Sequence, residues 1–207
     1  EVYQYGLSMI RSLLGIRRTQ ANVSLPAAVP MMEILGKLYY EADSITWLGH
    51  ASVLIQLERK NILVDPFLST HAASIQPFGT RRVTPPGLDA LCLPRIDFLL
   101  ISHSHYDHCD RATLKELAHR RLQPLVIVPL GLGPLLTKWG FRNVRELDWH
   151  ESASAAGITI TLLPAIHHSR RTLTDYNKTL WGGFSIRSPR HSVYHAGDTG
   201  MGPIFET

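Results

Sequence analysis

The sequence lacks the signatures of several common protein classes. No apolar run reaches the roughly 20 residues that a membrane-spanning helix needs, and no GxSxG, Walker A or GxGxxG motif is present. The 207 residues include only two cysteines, Cys92 and Cys109, which form no CxxC pair. These absences disfavour a membrane-spanning protein, a serine hydrolase, a nucleotide-binding domain and a disulfide framework. We therefore expect a cytoplasmic protein in a reducing compartment.

The chain is only mildly basic. Its formal net charge is +4 and its pI is about 9.2, with the arginine pairs scattered along the sequence. This balance is compatible with an anionic small-molecule or phospholipid substrate and leaves peripheral contact with the inner membrane surface open. A polybasic tract and zinc-finger spacing are both missing, so we expect no nucleic-acid partner. The oligomeric state is not predicted.

The length fits one domain preceded by an extension. Leu7, Ile10, Leu13 and Leu14 recur at helical spacing, which predicts that residues 1–43 form a helical extension packed on the domain. Residues 44–207 form the domain itself. A membrane-surface helix is the weaker alternative for the extension, because Lys and Arg do not dominate its polar face.

Short strands and helices alternate from residue 44 onward. Pro66 to Pro94 is loop-like, and a loop of that length is usually functional or mobile. Locally paired strands with helices inserted between groups of them predict two sheets with helices outside. The predicted strands are 45–48, 52–57, 61–64, 96–101, 125–128, 144–147, 158–163, 181–186 and 192–196, and the predicted helices are 111–121, capped by Asp110, and 132–139.

The eleven histidines are an excess, and three of them fall in residues 102–110, directly after the apolar run 96–101. Residues two apart in an extended chain point the same way, so His103 and His105 can bind one ion together. Asp107 and His108 can face a second ion nearby. Imidazole and carboxylate ligands suit zinc first, with manganese or iron as alternatives.

Two further strand ends carry similar side chains. His167 and His168 follow the apolar run 161–166, and one of the pair can complete the first ion's ligands. Asp198, between Gly197 and Gly200, can bridge two cations with its two oxygens, although an ordinary Asx turn also explains this motif. Three such strand ends predict one rim with a metal centre assembled across it.

These residues resemble a known family. The order His103-x-His105-x-Asp107-His108, then His167, then Asp198 is similar to that of the metallo-β-lactamase-fold hydrolases, and Gly49-His50 and Asp65-Pro66 match their early strands. Within that superfamily, the chain resembles the N-acylphosphatidylethanolamine-hydrolysing phospholipase D group and its bacterial relatives. The resemblance covers about residues 44–207, through segments 47–51, 101–108, 167–175, 177–184 and 196–200.

The resemblance implies an α/β fold, a four-layer αβ/βα sandwich, with two zinc ions. His50 and Asp65 are expected to orient the ligands rather than bind the ions. The family also uses a further histidine and further strands after the Asp198 turn, so we expect the sequence, which ends at Thr207, to be truncated at its C-terminus. The implied ligands are His103, His105 and His167 for one ion, Asp107 and His108 for the other, and Asp198 as the bridge.

The expected reaction is phospholipase D-type hydrolysis of a phosphodiester in N-acylphosphatidylethanolamine-like lipids by a hydroxide held between two zinc ions. Asp107 and Asp198 are the candidate catalytic carboxylates. Arg170, Arg171 and Lys178 are candidates for holding the anionic substrate, and plain surface charge is about as good an explanation of them. The alternatives are a lactonase or nuclease with the same metal site, and a non-enzymatic relative of the fold.

Overall fold

The computed structural model describes residues 43–73 and 79–205. Nearly all of the predicted helical extension therefore lies outside the described residues. Two short 3-10 helices, Ala90–Cys92 and Pro203–Phe205, accompany the regular elements. These elements are β1 (Ser44–Gly49), β2 (Ser52–Leu57), β3 (Lys60–Val64), β4 (His71–Ala72), β5 (Thr80–Arg81), β6 (Phe98–Leu100), α1 (Arg111–Ala118), β7 (Leu125–Pro129), α2 (Gly133–Lys138), β8 (Val144–Leu147), β9 (Ser152–Ala155), β10 (Ile158–Leu163), β11 (Gly183–Arg187) and β12 (Ser192–His195).

The larger sheet has six strands in the order β1-β2-β3-β6-β7-β8. β1, β2 and β3 form an antiparallel meander, and β3, β6, β7 and β8 run parallel to one another. The mostly apolar segment 96–101 correctly predicted an interior strand, observed at Phe98–Leu100, because a parallel strand is covered on both faces. Parallel strands end at the same edge, so Asp65 after β3 lies beside the end of β6, where its amide donates to Leu100 O at 2.9 Å.

The second sheet is antiparallel, in the order β12-β11-β10-β9. Alternate side chains of β10, those of Ile158, Ile160 and Leu162, are fully buried against the first sheet. Because β11 runs antiparallel to both β10 and β12, those two strands run in the same direction. The loops that follow them, which contain His167 and Asp198, therefore leave the sheet at one edge.

Two apolar cores hold these layers together. One lies between the sheets, and the other packs the helices, through Leu114, Leu117 and Leu136, on the outer face of the larger sheet. The described residues thus form a helix–sheet–sheet stack, and neither described α-helix contributes to the core between the sheets. Within the same residues, no helix combines the length and apolar character needed to cross a membrane.

Most element boundaries agree with the sequence prediction, and the differences have physical reasons. Asp110 caps α1 as predicted, accepting from the amides of Ala112 and Thr113, but the helix ends at Ala118. β9 was not predicted, because Ser and Ala have weak strand propensity. Its hairpin turn, Ala156-Gly157, has positive φ at both residues, which fits a tight two-residue connection.

Candidate metal centre

The ends of the two sheets meet along one rim. The amide of Gly182, in the loop before β11, donates to Ser102 O at 3.0 Å. His195 Nε2, at the end of β12, lies 3.2 Å from Ala51 O in the turn after β1. These contacts bring together the loops that follow β3, β6, β10 and β12. The predicted rim of strand ends is therefore observed.

Three imidazoles form the first group of possible metal ligands. His103 Nε2 lies 2.8 Å from His105 Nδ1, and His167 Nε2 lies 3.2 Å from each of those atoms. The ligand atoms of a tetrahedral zinc ion with Zn–N bonds of about 2.0–2.1 Å are separated by about 3.4 Å, which is close to this spacing. His168, the other member of the histidine pair, lies outside this group.

Burial favours the neutral form of all three rings. Burial lowers the pKa of each, and repulsion from neighbouring imidazoles adds to the effect, bringing the pKa of His105 to about 4 and that of His103 lower still. Neutral imidazole is the form that binds metal. Because the nitrogens face one another across a small space, a cation between them would use all three at once.

The second group consists of Asp107, His108 and His50, whose ligand atoms lie within 4.8 Å of one another. His50 Nε2 is 2.9 Å from Asp107 Oδ2. Burial raises the pKa of Asp107, but the hydrogen bond from His50 and the positive charge of His108 outweigh burial and lower it to about 2. Asp107 is therefore a carboxylate throughout the physiological range.

Asp198 lies between the two groups. Its Oδ1 is 3.3 Å from His108 Nε2, and its Oδ2 is 3.9 Å from His167 Nε2, so one oxygen faces each group. The close contact with the His108 imidazole is the main cause that lowers the pKa of Asp198. Gly197 has φ 60°, and a Cβ there would lie only 2.9 Å from Gly182 O. The glycine thus permits the close turn that places this carboxylate.

Asp65 orients the histidines from behind. Its side chain is fully buried at a residue with positive φ, and its Oδ2 lies 2.9 Å from His108 Nδ1 and accepts from Ser102 Oγ at 2.6 Å. Its Oδ1 accepts from the Ser102 amide at 2.7 Å, and Ser102 Oγ lies 2.8 Å from His103 Nδ1. Both Nδ1 atoms are thereby occupied, which leaves the Nε2 atoms of His103 and His108 facing the rim.

A buried nitrogen tests whether these residues fit a metal. His108 Nε2 has no hydrogen-bond partner among the described residues, although Asp198 lies beside it. Burial lowers the pKa of His108, but the carboxylates of Asp65 and Asp198 outweigh burial and raise it to about 10. A buried polar atom without a partner is costly and requires an explanation. A divalent ion at this nitrogen supplies one, so the donor set fits a dinuclear centre of imidazole and carboxylate ligands.

The basic residues proposed for substrate binding differ in their placement. Arg171 Nη1 donates to Ser104 O at 2.7 Å and to Cys109 O at 2.8 Å, and the guanidinium carbon lies 4.3 Å from the centre of the Tyr106 ring. These contacts favour a role for Arg171 in holding the loop 102–110 in shape. Arg170 donates to Thr172 O within its own loop, and Lys178 is exposed on the same loop.

Two sets of side-chain contacts that stabilise the loops of the site were not predicted from the sequence. Ser104 Oγ lies 2.6 Å from Ser169 Oγ, which also contacts the Thr179 hydroxyl, and this buried chain joins the 102–110 loop to the loop after β10. The His168 ring stacks on Tyr176 with centroids 5.5 Å apart and meets the His105 ring edge-on. No sequence pattern predicts either contact, because both depend on how the loops fold against one another.

Comparison with known proteins identifies the family. The profile of the Beta-lactamase superfamily domain matches residues 60–206, most of the chain. The chain belongs to this superfamily. Its two-sheet sandwich with helices outside is the metallo-β-lactamase fold.

Two curated relatives and one solved structure are similar to this chain. The chain is 34% identical to N-acyl-phosphatidylethanolamine-hydrolyzing phospholipase D 1 of Caenorhabditis elegans over 86% of this chain and 53% of that protein. It is 30% identical to a metal-dependent hydrolase of Methanopyrus kandleri, over 76% and 62% respectively. The crystal structure of CmlA, a diiron β-hydroxylase from Streptomyces venezuelae, aligns with a TM-score of 0.59 and 32% identity, over 77% of this chain and 30% of CmlA. The chain thus spans about half the length of the curated relatives it matches.

Replacing Asp65 by asparagine should weaken metal binding without removing a ligand. An amide keeps the shape of the carboxylate but loses the charge that holds the Nδ1 proton of His108, so the affinity for the ion at His108 should fall roughly 10- to 100-fold. Zinc titration of the metal-free chain by calorimetry measures this change. The exposed Asp89→Asn is the matched control, and an Asp65→Asn chain that binds zinc as the wild type does would contradict the orienting role.

Proposed function

We propose that the protein is a zinc-dependent phospholipase D-type phosphodiesterase that acts on N-acylphosphatidylethanolamine-like lipids. The observation that carries the proposal is the position of Asp198, with one carboxylate oxygen facing each of two histidine-rich groups. That arrangement suits a pair of ions held a few ångströms apart, the geometry of two-metal phosphoester hydrolysis. The similarity to the nematode phospholipase D supports the choice of substrate.

Each residue has a defined task in this proposal. His103, His105 and His167 would hold one ion and Asp107 and His108 the other, with Asp198 available to both. When bound, the two ions lower the pKa of water and neutralise charge on the phosphate. Asp107, ionised because His50 and His108 lower its pKa, accepts a hydrogen bond from the attacking water and aligns it with phosphorus. Ser102 and Asp65 hold the histidine rings in place during the reaction.

Exposed apolar side chains near the rim favour a lipid substrate. Ile166, next to His167, and Met201, three residues after Asp198, are 41% and 94% exposed. Tyr176, which stacks on His168, and Leu173 on the same loop are also exposed. Apolar side chains around a polar site are suited to acyl chains. Arg170 on this loop adds a positive charge for a phosphate group.

The zinc assignment rests on the ligand set, three imidazoles in one group and mixed imidazole and carboxylate in the other. The same ligands suit iron or manganese, and the similar CmlA is a diiron protein. Elemental analysis of the purified chain distinguishes the metals. Zinc as the major metal supports the assignment, and iron as the major metal overturns it.

The substrate test uses vesicles that contain N-acylphosphatidylethanolamine. Attack of water on phosphorus breaks the P–O bond to the N-acylethanolamine, so phosphatidate and N-acylethanolamine should appear in equal amounts, measured by mass spectrometry. Asp198→Asn is the inactive control, and phosphatidylcholine vesicles test selectivity for the N-acyl headgroup. Turnover of a lactone or of RNA without turnover of the lipid would contradict the proposed substrate and favour the lactonase or nuclease alternative.

A further inference from the structure

The turn that contains Asp198, residues 196–200, lies beyond the pairing of the second sheet. The ladder between β11 and β12 ends at the pair Phe184 and His195, and the turn follows directly. Asp198 Oδ1 nevertheless lies only 3.3 Å from His108 Nε2. A carboxylate that serves two ions must be held to within roughly half an ångström. Contacts other than the β-ladder are therefore needed to fix this turn.

His195, the last residue of β12, makes two such contacts. Its side chain lies on the same face of the sheet as that of its partner Phe184, which is buried between the two sheets. The amide of Gly197 donates to His195 Nδ1, with 3.2 Å between the two nitrogens. At the other end of the ring, Nε2 lies 3.2 Å from Ala51 O, in the turn between β1 and β2. The ring therefore joins the Asp198 turn to the larger sheet.

The two partners of the His195 ring define its tautomer. A backbone amide can only donate, so Nδ1 must present its lone pair to Gly197. The ring proton is then on Nε2, where it donates to Ala51 O. A neutral imidazole has one acceptor and one donor at opposite ends of a rigid ring, which is the combination that these two backbone groups require.

We propose that His195 is a positioning residue for Asp198, which fixes the Asp198 turn by accepting from the Gly197 amide and donating to Ala51 O. Gly197 has positive φ and no side chain, so its backbone is conformationally free unless its amide is held. His195 itself belongs to none of the groups of possible metal ligands among the described residues. This inference rests on the proposed two-metal function and deepens it, because it assigns the placement of the bridging carboxylate to a residue outside those groups.

Two substitutions of His195 test this role. His195→Phe keeps an aromatic ring of similar size and removes both nitrogens. His195→Asn places an amide oxygen where the imidazole has Nδ1, so it can accept from Gly197, although it is too short to reach Ala51. Zinc titration of the metal-free full chain by calorimetry resolves the first and second equivalents. The exposed His119→Phe, at the end of α1, is the matched control.

We expect His195→Phe to weaken the second equivalent roughly 10-fold or more, the effect typical of losing a residue that orients a ligand. His195→Asn should bind the second ion more tightly than His195→Phe does, because it restores the acceptor for Gly197. Wild-type affinity in His195→Phe overturns the inference. An Asn variant that binds no more tightly than the Phe variant also overturns it, since the acceptor would then not be the cause.

A measurement on the wild type covers the case in which His195→Phe does not fold, as judged by circular dichroism. Nitrogen-15 NMR of the zinc-loaded full chain shows which nitrogen of His195 carries the proton. A proton on Nε2 alone supports the inference. A proton on Nδ1 overturns it, because such a ring cannot accept from the Gly197 amide.

The failure of this inference is distinguishable from the failure of the proposed function. A wild-type chain that binds two ions, and whose second equivalent is unchanged in His195→Phe, contradicts only the role of His195. A wild-type chain that binds fewer than two ions contradicts both the two-metal site and the role of His195 in it. Lipid turnover is measured separately and does not enter this test.

Discussion

His103→Ala should leave the chain without the first ion and reduce hydrolysis by at least about 1,000-fold, the effect expected when several kcal/mol of metal-derived stabilisation are lost. His103 is the buried centre of the first group, with its Nε2 within 3.2 Å of a nitrogen of both His105 and His167. Its Nδ1 is held by Ser102 Oγ, which leaves Nε2 directed toward His105 and His167. Metal content and lipid turnover of the same preparation measure the effect.

The control for this substitution is the exposed His119→Ala, which should keep both metal and activity. His103→Gln is a second variant that leaves a smaller void in the buried site, and circular dichroism shows whether each chain is folded. A folded His103→Gln chain with wild-type metal content and full turnover would refute the assignment of the first group.

Asp198→Asn should have the second large effect. An amide has one neutral oxygen where the carboxylate has two charged ones, so it cannot contact both ions equally. Because Asp198 Oδ1 lies 3.3 Å from His108 Nε2, the second ion should be lost first, and hydrolysis should fall by about 1,000-fold or more. Zinc titration should show one tight equivalent in place of two.

The exposed Asp89→Asn is the matched control for the loss of one carboxylate. Asp198→Glu tests whether charge alone is enough, since its longer side chain moves the oxygens away from the close turn at Gly197. Two tight equivalents and unchanged turnover in Asp198→Asn would rule out a bridging role.

Much of this fold was predictable because its patterns are local. The alternation of Ile158, Ile160 and Leu162 identifies β10, and the apolar run before Ser102 identifies an interior strand. The motif from His103 to His108 stands directly after that strand, which is why a metal site could be predicted from sequence spacing alone. The parallel and antiparallel pairings then bring the remaining strand ends to the same rim.

Other features depend on contacts between distant residues and had no local signal. The choice of His167 over His168 needed the family resemblance, and the structure places His167 in the first group and His168 against Tyr176. His50 was expected to orient a ligand, which stays a prediction, and no local pattern indicated that its Nε2 lies 2.9 Å from Asp107 Oδ2. Arg171 was a candidate for holding the anionic substrate, which stays a prediction, and no local pattern indicated that its guanidinium donates to two carbonyls of the 102–110 loop.

The number of metal ions bound to the purified wild-type chain tests the two-metal site most directly. Inductively coupled plasma mass spectrometry after dialysis against metal-free buffer, referred to protein concentration by amino-acid analysis, gives this number. The structure predicts two ions per chain, falling to one in Asp198→Asn. A wild-type chain that retains no ion, with its fold intact, would contradict the metal centre and the hydrolytic function built on it.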